Sequence, residues 1–392
     1  MTEALINCSM LRWARERSYP TLEVAAEKLK VKVDDLDAWE QGDALPTFRQ
    51  AQDLAKKLKV PFGYLYLSKP PNENLPLPDL RTKSGTSPRK PSPDFLEVIY
   101  DALRKQEWYR DYLKSEGADR VPFVGRFNIE SPIDTVAEDM RRVLRLDDSL
   151  RSECRNKDDF LNGFVQRAEK AGVLVMRTGI VGNNTRRGLD QDEFQGFAIC
   201  DDIAPLVFIN QNDFLSAQIF TLAHELAHIW MGLSGISNLA YLQKAEQQPH
   251  SYERVTDAVA AETLVPQDVF LLRWDERSTI DKNLENLSRL HCVSAFVILR
   301  RAYDLNKIDF EVYKSKYSEL RTGIKPKREG GSERAYYSGV FSRNGNTVTS
   351  TLLHSLSEGK VSPKEASDLL NVRLAGLRGL EQYLKQRETV YA

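Results

Sequence analysis

Two histidines four residues apart, with a glutamate directly after the first, stand in the otherwise apolar run FTLAHELAHIWMG (220–232). A helix turns about 100° per residue, so positions i and i+4 share a face and the imidazoles of His224 and His228 converge. Imidazoles held that way can bind one Zn²⁺. Glu225 beside the metal can then take a proton from a water that the metal makes nucleophilic near neutral pH, and pass it to a leaving amine. The plain alternative is two core histidines bonded to neighbours, with Glu225 at the surface. The flanks FTLA and IWMG oppose it, because they would bury this helix, where unpaired polar groups are costly.

A catalytic zinc needs a third protein ligand and one open position. Glu253, in SYERVTDAVAAETLVP, and His250 just upstream are the candidates. Asp257 lies one turn after Glu253, which suits a carboxylate orienting one of the histidines; otherwise it is an ordinary surface charge. Tyr252 or His250 could donate to a developing oxyanion, although Tyr252 could equally do no more than pack beside the ligand helix. Manganese and iron accept mixed His/carboxylate ligands as zinc does.

The elements that must position these residues are mostly helical. Helical spacing over 11–67, broken at AWEQGDALPT, predicts a compact module. Prolines crowd 70–93, which reads as an extended linker or wrapping arm. Helices are predicted over 94–115, 133–146 and 157–171, then two β-rich runs, GVLVMRT (172–178) and FAIC to PLVFIN (197–210), with an exposed loop between them. Pro266 ends the Glu253 helix. Beyond it helices are predicted over 281–290, 294–304, 309–320, 346–358, 363–370 and 374–386, with a break at REGGSERAYYSG (328–339).

With 55 Lys+Arg against 56 Asp+Glu, the whole-chain field does not steer toward nucleic acid or an anionic membrane. The N-terminus lacks a basic stretch followed by an apolar one, and nowhere do eighteen apolar residues run together, so a cytoplasmic protein with no membrane partner is expected. Cys8, Cys154, Cys200 and Cys292 are scattered and form no C-x-x-C, which suggests neither a disulfide framework nor a thiolate metal site.

FTLAHELAHIW resembles the metal helix of the ImmA/IrrE-type (M78-like) metallo-endopeptidases, and ERVTDAVAAETLVP matches that family's Glu-x-x-Ala-Asn-x-Phe-Ala segment in register. The resemblance implies His224, His228 and Glu253 as zinc ligands, one Zn²⁺ per chain, and Glu225 as general base. Thr256 stands where the family has Ala and Asp257 where it has Asn, the latter a gluzincin-like, thermolysin-type feature. Residues 11–66 resemble an XRE-type helix-turn-helix, and LPLPDLRT and GGSERAYYSG resemble segments of longer members that fuse both modules. A protein substrate is implied, a repressor or an antitoxin or toxin encoded nearby. Enzymes of this kind hold an extended substrate on a sheet edge. By position GFAICDD (196–202) is the expected edge strand, with Gly196 and Phe197 lining the cleft.

The resulting expectation is an α+β, mostly helical chain. Residues 1–69 would be the helix-turn-helix bundle, 70–93 a linker, 94–272 the zinc peptidase with a small sheet, 273–327 a helical extension and 328–392 a C-terminal helical domain. DNA binding by the recognition helix 33–40 is opposed by Asp34, Asp35, Asp37 and Glu40 on its expected outer face, so the first module reads as a docking surface built on Leu36 and Trp39. Later segments carrying Arg300, Arg301, Arg373 and Arg378 have the better sign for phosphate, if those charges are not paired within the fold. The alternative function is a non-proteolytic antitoxin or transcriptional regulator with a structural or sensing zinc.

Overall fold

The computed structural model describes residues 2–71, 76–78, 91–237, 251–322 and 333–391. The chain separates into two compact units, residues 1–76 with 90–97, and residues 77–89 with 98–392.

In the first unit α1 (Cys8–Ser18), α2 (Leu22–Leu29), α3 (Val33–Gln41) and α4 (Phe48–Lys57) precede a 3-10 turn, Phe62–Tyr66. Local chemistry sets the boundaries. Thr21 caps α2, Gly42 closes α3 in the left-handed region, and Thr47 with Gln50 forms a capping box on α4. Leu11, Leu29, Leu36, Trp39 and Leu54 share one core. Glu40 departs from expectation. It is buried and held by the Arg15 guanidinium through two hydrogen bonds of 2.9 and 2.8 Å, so the outward acidic face of α3 consists of Asp34, Asp35 and Asp37.

The second unit begins with most of α5 (Pro93–Ser115), followed by α6 (Ile133–Leu144), α7 (Asp148–Glu153) and α8 (Lys157–Lys170). The strands are β1 (Leu174–Thr178), β2 (Ile180–Val181), β3 (Asn184–Gly188), β4 (Gly196–Ile199) and β5 (Leu206–Asn210). Then come α9 (Leu215–Trp230), β6 (Gly235–Ser237), α10 (Ser251–Leu264), α11 (Gln267–Arg273), α12 (Ile280–Leu290), α13 (Ala295–Asp304) and α14 (Phe310–Thr322). Helices α15 (Glu333–Asn344), α16 (Asn346–Ser357), α17 (Pro363–Leu370) and α18 (Leu374–Tyr391) complete the unit. The stretch between β1 and β4, expected to be a loop, includes the antiparallel β2–β3 ribbon. The break expected over 328–339 is helical from Glu333 on, and α15 packs against β1. Among the described residues no helix is long and apolar enough to cross a membrane.

The main sheet runs β1-β5-β4-β6, with β1 parallel to β5 and the other pairs antiparallel. β4 is therefore interior, not the edge. Its outer partner is β6, and the Pro78 carbonyl accepts a hydrogen bond of 3.0 Å from the Ile236 N–H. Pro78 thus reaches the sheet from the proline-rich stretch, and Leu77 before it is buried. Alternation along the strands sends Ala198, Val207 and Ile209 into the core that contains α9.

Every residue of α9 from Gln218 to Trp230 is buried, because β4 and β5 cover one side and α8 and α10 the others. Its last turn is tied down. The Gly125 and Phe127 N–H groups donate to the Ile229 and Trp230 carbonyls at 3.0 and 3.1 Å, satisfying acceptors that a helix end leaves open. Trp230 stacks on Phe123 at 3.9 Å and donates from Nε1 to Asp139 at 3.0 Å. Gly125 and Gly232 both have positive φ, and a Cβ added at Gly232 would lie 3.2 Å from the Gly125 Cα, so a side chain would oppose this crossing.

The Arg15–Glu40 pair yields a stability test. Arg15→Ala leaves the buried Glu40 carboxylate with only the half-exposed Arg12 guanidinium, 3.7 Å away, and is expected to cost about 2–4 kcal/mol, whereas Arg15→Met combined with Glu40→Leu costs far less. Urea unfolding followed by the fluorescence of Trp13 and Trp39 measures both.

Candidate metal centre

Helix α9 presents His224 and His228 one turn apart, their Nε2 atoms 3.1 Å from each other. Helix α10 packs alongside and inserts Glu253, whose Oε2 is 3.3 Å from His224 Nε2 and whose Oε1 is 3.3 Å from His228 Nε2. Both imidazoles are fully buried and Glu253 nearly so. Donors bound tetrahedrally to a cation at about 2.0–2.1 Å stand about 3.3–3.4 Å apart. The separations here match that spacing, and two imidazole nitrogens facing each other beside a carboxylate form a donor set suited to a divalent cation. Among the described residues His224, His228 and Glu253 are the group of three that could hold a metal ion.

Asp257, one turn after Glu253 and buried, places Oδ1 2.8 Å from His224 Nδ1. Such a carboxylate sets the ring's orientation and tautomer and leaves Nε2 to face the centre. Thr256 is buried and turns its hydroxyl back to the Tyr252 and Glu253 carbonyls at 3.0 and 3.1 Å, which satisfies a polar group inside the α9–α10 contact.

The electrostatics follow from burial of opposite charges. Burial opposes the His224 imidazolium, but the Asp257 and Glu253 carboxylates outweigh it, so its pKa is raised well above the usual value. Burial and the neighbouring His224 push His228 down. Burial alone would raise Glu253, yet the two histidines bring it down to about 2. Asp257 is pushed up to about 6, chiefly by burial. A cation would thus replace a proton on His224 while entering a site whose Glu253 is already ionised.

Glu225 is buried on α9 against β4, where Gly196 makes the close approach possible. A Cβ at Gly196 would stand 2.8 Å from Glu225 Oε1, 2.7 Å from Thr221 Cγ2 and 2.9 Å from the Phe208 carbonyl oxygen. Gly196 therefore packs directly against Glu225, though from an interior strand. Phe197 does not line the cleft. It points to the opposite sheet face, fully buried and stacked on Phe208 with ring centroids 4.7 Å apart. Tyr252 is 40% exposed at the start of α10, and His250 lies outside the described residues. The later arginines split: Arg301 is buried and paired with Glu262, and Arg300 bonds Asp304 at 2.9 Å, whereas Arg373 and Arg378 are exposed.

Residues 168–303 match the family model Peptidase_M78, described as the IrrE N-terminal-like domain. The match makes that segment similar to a metallopeptidase-family domain. It contains His224, Glu225, His228, Glu253 and Asp257, and runs from the end of α8 through α13. No curated protein and no solved structure matches the chain. Sequence reasoning missed β6, whose three residues hold no periodicity to detect, and with it the interior position of β4.

Three measurements probe this geometry. Gly196→Ala meets a backbone oxygen that cannot rotate away, and is expected to destabilise the fold by about 1–3 kcal/mol, read by thermal unfolding. Asp257→Asn is expected to weaken Zn²⁺ binding about 10–100-fold in competition with a chromophoric chelator. A cation bound at His224 would have to displace the proton that its raised pKa favours, so Zn²⁺ uptake should release protons and tighten as pH rises; calorimetry in two buffers of different ionisation enthalpy checks the sign.

Proposed function

We propose that this chain is a zinc-dependent endopeptidase acting on a specific regulatory protein in the cytoplasm. The observation that carries the reading is the convergence of His224, His228 and Glu253 with Glu225 on the same helix, closed against Gly196. A divalent cation held by the three ligands would acidify water and polarise the scissile carbonyl. Glu225 then accepts the proton of the attacking water at its carboxylate and returns it to the leaving amine. Asp257 keeps the His224 ring turned so that Nε2 remains available. Tyr252 is kept as a candidate donor to the oxyanion from the first turn of α10, and Tyr252→Phe with unchanged cleavage rates removes it.

An enzyme of this kind must spare bystander proteins. In this reading the first unit contributes docking, its acidic α3 face being unfavourable to phosphate, and selects a repressor or an antitoxin or toxin encoded nearby. With β4 paired on both sides, an extended substrate cannot add to that strand and must use other main-chain contacts.

Glu225→Gln separates proteolysis from the alternative of a non-proteolytic regulator. The variant should keep stoichiometric zinc and lose at least about a hundredfold in cleavage of the product of the neighbouring gene, followed by mass spectrometry after co-expression. If it neutralises its partner as well as wild type does, the centre serves structure or sensing and the peptidase reading fails.

A further inference from the structure

β1 is an outer strand of the main sheet, and beside it opens a cleft of about 1040 Å³ bounded by α7, α8, α15, α16 and α18. Arg177 of β1 lines it. This residue is only 9% exposed, and its Nη1 is buried without a hydrogen-bond partner or a salt bridge among the described residues. A guanidinium does not shed its proton in a protein, so a buried, unpaired nitrogen of this kind is a costly group in need of an anion. Burial works against the Arg177 charge, with Asp158 and Glu169 favouring it without forming an ion pair.

The other walls supply what a bound molecule needs. Arg387 of α18 is held over Phe341 and Tyr383, its carbon centre 4.9 and 5.9 Å from the two rings, and donates to Asn346 Oδ1 at 3.0 Å. This second cation and the Tyr383 ring both line the cleft. Of the acids lining it, Glu153 is exposed and Asp159 accepts the Arg155 backbone N–H at 3.1 Å. The volume is that of sites for cofactor-sized molecules.

We propose that this cleft binds a small molecule bearing an oxyanion, phosphate or carboxylate, with the anion on Arg177 and the remainder against Tyr383 and Arg387. The guanidinium fork matches both anions, and its burial makes the contact stronger than a surface pair. The site is separate from the His-His-Glu group and stands whether or not that group catalyses hydrolysis.

The test uses the full chain and Arg177→Met, with inorganic phosphate, AMP and succinate as probes at constant ionic strength, read by thermal shift and calorimetry. At least one probe should bind wild type saturably and Arg177→Met at least tenfold more weakly. The variant without ligand should melt no lower than wild type, since it loses an unpaired buried charge. A response to phosphate and AMP alone assigns a phosphorylated ligand; a response to succinate alone assigns a carboxylate. Absence of saturable binding by wild type, or equal binding by the variant, overturns the proposal. If Arg177→Met does not fold, phenylglyoxal labelling of wild type with peptide mapping decides: a saturating probe should protect Arg177, and labelling unchanged by all three probes overturns it.

Discussion

The second unit is organised around a polar contact that burial makes unforgiving: two imidazoles of α9 meeting a carboxylate of α10 away from solvent. Each ionised group taken from water costs several kcal/mol unless its partners are in place. α10 must therefore lie against α9 in the one register that brings Glu253 to His224 and His228 and Asp257 to the far side of His224. The apolar surroundings supply that register. α9 is enclosed by strands and helices, its last carbonyls are taken by Gly125 and Phe127, and Trp230 is fixed between Phe123 and Asp139.

The same rule appears on a smaller scale in the first unit, where Arg15 draws Glu40 into the interior. It removes one charge from the outer face of α3 but leaves three carboxylates there. Arg301 behaves likewise, buried against Glu262 rather than offered to a partner. Arg177 is the exception among these buried arginines, which is why its cleft stands out chemically from the rest of the second unit.

Much of the helical framework was legible because its signals are local. Apolar spacing, proline and caps place helices near 94–115, 133–146, 157–171, 281–290 and 294–304 with small shifts at the ends. The i, i+4 spacing of His224 with His228, and of Glu253 with Asp257, is also local, so the side chains that could share a metal were readable before any fold was known. Strand order was not. β6 is three residues long, and only its pairing with β4 shows that 196–202 is not an edge. Phe197 was misplaced for the same reason: a neighbour in sequence of Gly196 faces the other side of a strand.

By itself, the sequence determined which residue types could bind a cation and activate water, because helical periodicity is a property of the chain over a few residues. Tertiary structure alone decided that α10 brings Glu253 within 3.3 Å of both histidines, that Gly196 leaves room for Glu225, and that Glu40 is turned inward. Those outcomes depend on packing between segments distant along the chain, where burial sets the cost of every charge and no local pattern records the partner.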